Sequence, residues 1–129
     1  MSFKLISAIL VVLMISYLAG LSFLYRQDRV KPENQRYLEP CPDKPNCVLS
    51  LAKNEGHAIE AFPILQKNSS SSWERLISAI EQNGGKILVN DGNYCHAVFT
   101  SRLFRFKDDF EASLGETLID VRSASRAGS

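Results

Sequence analysis

The sequence predicts an α+β domain: an antiparallel sheet of about four or five strands with one amphipathic helix, preceded by a single N-terminal transmembrane helix. Three observations carry this. Residues 5–25 form an unbroken apolar run. Trp73, Leu76, Ile77 and Ile80 recur at helical spacing. Segments of alternating apolar and polar residues, punctuated by turn residues, fill the chain from Lys86 onward.

The apolar run holds no charged side chain. As a helix it is about 31 Å long, close to a hydrocarbon core of about 30 Å. Tyr17 and Tyr25 suit a membrane interface, Tyr25 better. A cleaved signal peptide is the rival reading, but no good small-x-small cleavage site follows the run. Leu18-Ala19-Gly20 resembles the start of a lipoprotein cleavage box. Leu21, however, stands where the acylated cysteine would be. Residues 1–25 are therefore an anchor or signal, with an anchor favoured.

Lys4 is the only charged side chain before Arg26, so the remaining 14 Lys/Arg balance the 14 Asp/Glu of the chain. A formally neutral domain argues against nucleic acid or an anionic membrane surface as the main partner, because both require a basic face. Arg26, Arg29, Lys31 and Arg36 follow the run and, by the positive-inside rule, point to a cytoplasmic domain. The cysteines point the other way.

Residues 26–40 are polar, contain Pro32 and Pro40, and read as a tether. Residues 41–129 form the domain. Cys41 and Cys47 lie in a loop rich in proline, asparagine and aspartate. Their spacing is neither Cys-x-x-Cys nor that of a zinc finger, which favours a structural disulfide over a redox pair or metal site. Structural disulfides persist in oxidising compartments. The expected location is accordingly the inner (cytoplasmic) membrane, single-pass, with the domain on the periplasmic side.

His57–Ile64 alternates in part and meets Pro63, as a short edge strand does. Lys67–Ser72 is a loop. Residues 72–82 form the amphipathic helix, with Ser71 and Glu74 as a capping box and Asn83-Gly84-Gly85 as the stop. Lys86–Asn90 is a strand. Asp91-Gly92 marks a hairpin turn, and Tyr94–Thr100 the strand after it. Residues 102–112 place Phe104, Phe106, Asp108 and Phe110 on one face. Ser113–Glu116 is a turn, and residues 117–126 place Ile119, Val121, Ser123 and Ser125 on one face. Matching apolar faces allows a hairpin with residue 112 opposite 117. Lys107 then faces Arg122, and Asp109 faces Asp120.

Cys95 and His96 are neighbours on a strand, so they point to opposite faces and form no easy dyad. Cys95 reads as a small core residue. Asp108 shares a face with three phenylalanines, and a buried carboxylate there needs a partner. Arg102, Asp108, Asp109, Arg122 and Arg126 are thus candidates for a polar ligand site, set against a structural ion-pair network or a solvent-exposed Asp108. No serine-hydrolase elbow, phosphate loop or metal signature is present, and no metal or cofactor is expected.

Three motifs resemble the bacterial domain-of-unknown-function family numbered 1499. They are Cys-Pro-x-x-Pro-Asn-Cys-Val at Cys41–Val48, Phe-Thr-Ser-x-Leu-x-x-Phe-x-Asp-Asp at Phe99–Asp109, and Val-Arg-Ser-Ala-Ser-Arg-x-Gly at Val121–Gly128. The resemblance implies a membrane-anchored or exported protein and supplies no activity. It also implies a continuation past Gly128, a Ser-Asp-x-Gly-x-Asn-x-x-Arg stretch and a closing helix, where this sequence has only Ser129. The domain is expected to be C-terminally incomplete on that ground. Cys95 stands where the family more often has an aliphatic residue.

The resulting expectation is a non-enzymatic, membrane-anchored extracytoplasmic module for interaction or ligand binding. Its partners would be the membrane through residues 5–25 and either a protein or a small anionic or polar ligand. An enzyme or carrier using the Arg/Asp cluster, and a truncated inactive product, are the alternatives.

Overall fold

The computed structural model describes residues 2–26 and 28–127. Side chains of residues 22–26 and 66 fall outside that description, as do the interfacial role of Tyr25 and the residues Gly128 and Ser129. Two α-helices and six strands follow one another: α1 (Phe3–Arg26), β1 (Cys47–Leu49), β2 (Phe62–Pro63), α2 (Ser69–Gln82), β3 (Lys86–Asn90), β4 (Tyr94–Thr100), β5 (Lys107–Leu114) and β6 (Leu118–Ser125). All pairings within the sheet are antiparallel, in the order β1-β6-β5-β4-β3, with β2 also paired to β6. The α+β expectation holds, with one strand more than anticipated.

The 24 residues of α1 span about 36 Å. Phe3–Leu21 has a mean hydropathy of 2.2 and packs against nothing in the domain. Such a helix is long and apolar enough to cross a membrane.

Helix α2 starts earlier than its sequence suggests. Asn68, not Ser71, is the N-cap, and its side chain accepts the Ser71 N–H at 3.0 Å. Ser72 is unavailable for capping because its buried hydroxyl accepts the Leu65 N–H at 2.9 Å. That bond ties the helix start to the preceding 3-10 turn, Leu65–Lys67.

The helix ends as its glycines suggest. Gly84, at φ 85°, donates to Glu81 O, and Gly85 donates to Ile80 O. This is the Schellman arrangement, which satisfies the last carbonyls of a helix. Gly85 has a further constraint. A Cβ there would lie 2.5 Å from Ile80 Cγ2 and 2.8 Å from Phe99 Cζ. Gly85→Ala is expected to lower unfolding free energy by about 1–3 kcal/mol, because the clash falls inside a packed core. Chemical denaturation of the two proteins measures this. Equal midpoints would show that the helix end shifts freely.

The core lies between α2 and one face of the sheet. Trp73 and Ile80 pack on Cys95, Ala97, Ala112, Ile119 and Val121, with Leu76, Ile77, Phe99 and Phe110 at the margin. Trp73 also donates its indole N–H to Asn90 Oδ1 at 3.0 Å. Cys95 is fully buried and unpaired, and burial pushes its thiol up to about 11. A structural role follows from both facts.

The β5–β6 hairpin corrects the expected register. Residues 102–104 form a turn rather than strand, and Ser113 and Leu114 belong to β5. The turn sits at 115–117. Glu111 consequently faces Arg122, and Asp109 faces Ala124. Opposite charges meet where the expected register set Lys107 against Arg122 and Asp109 against Asp120. Phe106, expected toward the core, is instead exposed and stacks on Phe104 at a centroid distance of 5.6 Å.

Candidate functional site

Alternation along the central strands sends a second set of side chains away from α2. On β4 these are Tyr94, His96 and Val98; on β5, Asp109 and Glu111; on β6, Arg122, with Arg126 just beyond its end. This face is rich in ionisable groups, yet Tyr94, His96 and Glu111 are all buried. Residues 28–39 cover it. They read as a tether in the sequence, but in the fold they cross the sheet and make ion pairs along it.

The cover is pinned at three places. At the open end of the β5–β6 pair, beside the connection from β4 to β5, Asp28 accepts from Lys107 at 2.7 Å, Lys86 at 3.2 Å and Arg126 at 3.4 Å. In the middle, Lys31 reaches Glu111 at 2.7 Å. At the β3–β4 turn, Arg36 pairs with Asp91 at 3.4 Å. Hydrogen bonding to Lys107 holds the Asp28 carboxyl below the ordinary carboxylate range, against the opposing effect of its partial burial. The chain then turns back, and the Cys41–Cys47 disulfide, with Cα atoms 5.7 Å apart, fixes its return to β1.

Two carboxylates organise the face. Glu111 accepts from the Tyr94 hydroxyl, from Lys31 and, on its other oxygen, from Arg122 at 3.2 Å. Burial first, then the neighbouring Glu111 carboxylate, pushes the Tyr94 hydroxyl far above its usual range, so it remains a donor. Asp109 receives a two-pronged bond from Arg126, Nε to Oδ2 at 2.8 Å and Nη2 to Oδ1 at 2.7 Å. His96 Nε2 lies 2.7 Å from the same Oδ1. Burial opposes ionisation of Asp109, but Arg126 and His96 outweigh it and hold the carboxyl well below its usual range. An ionised Asp109 only accepts, so His96 Nε2 carries a proton.

Three buried nitrogens on or beside this face have no hydrogen-bond partner among the described residues: His96 Nδ1, Arg122 Nε and Arg36 Nε. Buried polar groups are ordinarily paired with protein groups or ordered water.

Of the five residues singled out in the sequence, the fold brings three to this face. Asp109 and Arg126 are bonded to each other, and Arg122 sits one carboxylate along. Asp108 lies on the opposite face, on the Phe110 side, exposed beyond the cover of α2. Arg102 is exposed in the β4–β5 turn. Neither joins the cluster. Sequence reasoning missed Glu111, His96, Tyr94, Lys31 and Asp28. Glu111 had one legible signal, its shared strand face with Asp109.

The three sequence motifs converge at one end of the sheet. Asn46, in the first, donates its side-chain amide to Ala127 O at 2.7 Å and Ser125 O at 3.3 Å. Asp109, closing the second, grips Arg126 of the third. Residues 37–129, well over half the chain, match the family described as protein of unknown function (DUF1499). The chain belongs to the DUF1499 family. No curated protein and no solved structure matches it. Within this DUF1499 chain the matched span contains the whole sheet, α2 and the disulfide. Asp28 and Lys31, which complete the ion pairs on the polar face, precede it.

Proposed function

We propose that this DUF1499 protein is a non-catalytic, ligand-binding module held at the inner membrane by α1, with its domain on the periplasmic side. The ligand class is a small anionic or otherwise acceptor-rich molecule. The observation carrying this reading is the set of buried nitrogens without partners, His96 Nδ1, Arg122 Nε and Arg36 Nε, gathered about one sheet face. Acceptor oxygens on a ligand would take the two guanidinium N–H groups, and a ligand hydroxyl would donate to His96 Nδ1, which is an acceptor while Nε2 carries the ring proton. Asp109 and Arg126 would frame it, and Lys31 and Arg36 lie in the cover it would meet first. His96 Nδ1 meets no hydroxyl or thiol among the described residues, so the His96–Asp109 pair has no nucleophile to serve. The Cys41–Cys47 pair and the apolar α1 support the location.

Calorimetry of the detergent-solubilised full chain against inorganic phosphate, citrate and glucose tests the ligand class. Binding of at least one, weakened at least tenfold by Arg122→Met, is expected. No heat with any of the three would overturn the binding reading. Protease access to a C-terminal tag in spheroplasts tests the location separately, and a protected tag would place the domain in the cytoplasm.

A further inference from the structure

The β4–β5 connection, Ser101–Phe106, presents Leu103, Phe104 and Phe106 to solvent at 81%, 68% and 52% exposure. Exposed apolar side chains are unremarkable singly, but three within four residues on one turn form a patch. Arg102 and Arg105 interleave with them, and neither pairs with a carboxylate among the described residues. The turn has internal order. Ser101 N–H donates to Phe106 O at 2.8 Å, the Ser101 hydroxyl accepts the Phe106 N–H at 3.0 Å, and Arg105 N–H donates to Ser101 O at 3.1 Å. Arg105 takes the left-handed conformation at φ 57°, a costly choice for a side chain with a Cβ. The result is a fixed turn that shows apolar rings flanked by arginines.

Its position in the fold says what it meets. Lys107, immediately after Phe106, is bonded to Asp28 at 2.7 Å. Asp28 is two residues beyond the end of α1, so at most about 7 Å of chain separates them. Leu103 is four residues from Lys107, a reach of at most about 14 Å. If α1 spans the bilayer, its end lies in an interfacial layer about 5–8 Å thick. The far side of the domain, with the Gly115–Thr117 turn, is at the opposite end of the strands. The anchor thus leaves the membrane beside this apolar, arginine-flanked turn.

From this juxtaposition we propose that the Ser101–Phe106 turn is a second membrane contact, with Leu103, Phe104 and Phe106 seated in the lipid interface and Arg102 and Arg105 on anionic headgroups. The inference rests on the reading of α1 as an anchor. Apolar side chains of interfacial segments sink about 5–10 Å, and nearby arginines gain from anionic lipid. Two contacts on one bilayer fix the domain's tilt and turn its polar sheet face sideways, perpendicular to the membrane surface rather than toward it.

The test uses the full chain in nanodiscs of phosphatidylethanolamine and phosphatidylglycerol, one chain per disc. Leu103→Cys and, at the far turn, Glu116→Cys each carry an environment-sensitive fluorophore; buried Cys95 leaves the parent chain unlabelled. The expected result is a blue shift at position 103 and several-fold stronger quenching there than at 116 by nitroxide-bearing lipid. Adding R102E and R105E should reduce that quenching severalfold. A labelled chain incorporated in the disc but unquenched at 103 overturns the proposal while leaving the anchor intact. A blue shift without nitroxide quenching also overturns it, since it marks burial against protein. A chain that fails to enter discs overturns the anchor itself.

Discussion

Glu111→Ala is expected to cost about 3–5 kcal/mol of stability, the usual penalty for removing one member of a buried charge group. The Glu111 side chain is only 2% exposed. Its loss leaves Arg122, itself largely buried, without its carboxylate, and leaves the Tyr94 hydroxyl without its acceptor. Arg122 Nε already lacks a partner, so no spare acceptor waits nearby among the described residues. Lys31 suffers less, because Glu39 lies 3.8 Å away. Glu111→Leu combined with Arg122→Met should recover part of the loss, since no uncompensated charge then stays buried. Guanidinium unfolding of the three proteins decides the matter. A change below about 0.5 kcal/mol for Glu111→Ala would mean that water reaches this face freely.

The same residue shows how far the sequence can be read. Helix α2, the Asp91-Gly92 hairpin and the disulfide are all local, set by residues within a few positions of each other. They were legible for that reason. The β5–β6 register depends on where one turn closes, and face matching alone permits several answers two residues apart. The facing like charges in the expected register, Lys107 with Arg122 and Asp109 with Asp120, were the physical signal that it was wrong. Moving the turn to Gly115–Thr117 places Glu111 against Arg122 and exposes the real cluster.

Two features had no local signal. Alternation through Phe104, Phe106 and Phe110 looks like a continuing strand, and only the left-handed Arg105 breaks it. The covering segment is the other. Nothing near Asp28 or Lys31 announces that their partners are Lys107, Arg126 and Glu111, most of a chain length away. The polar composition that made residues 26–40 read as a tether is what a cover for a charged sheet face also requires. Both states are polar; they differ only in whether matching charges lie opposite.

Asp109→Asn is expected to remove about 2–3 kcal/mol at neutral pH and to flatten the acid limb of the stability curve. Asp109 and Arg126 are 23% and 18% exposed, so the pair is screened somewhat relative to a fully buried one. In the folded chain the Asp109 carboxyl is held well below its unfolded value of about 4. A depressed carboxylate contributes fully above the unfolded value, and its contribution is lost as pH falls toward the folded one. Wild-type stability should therefore fall on acidification from about pH 5 downward, while Asp109→Asn, which has no proton to take up there, falls less steeply. Arg126→Met should give a smaller loss at neutral pH, because His96 still bonds the carboxylate. Asp28 and Asp91 are also depressed, the first mainly by Lys107 and the second mainly by the Asn93 N–H. They supply the acid slope that remains in Asp109→Asn. An acid limb as steep in Asp109→Asn as in wild type would assign the whole slope to those two, and would leave the Asp109–Arg126 pair a contact that orients side chains without contributing to stability.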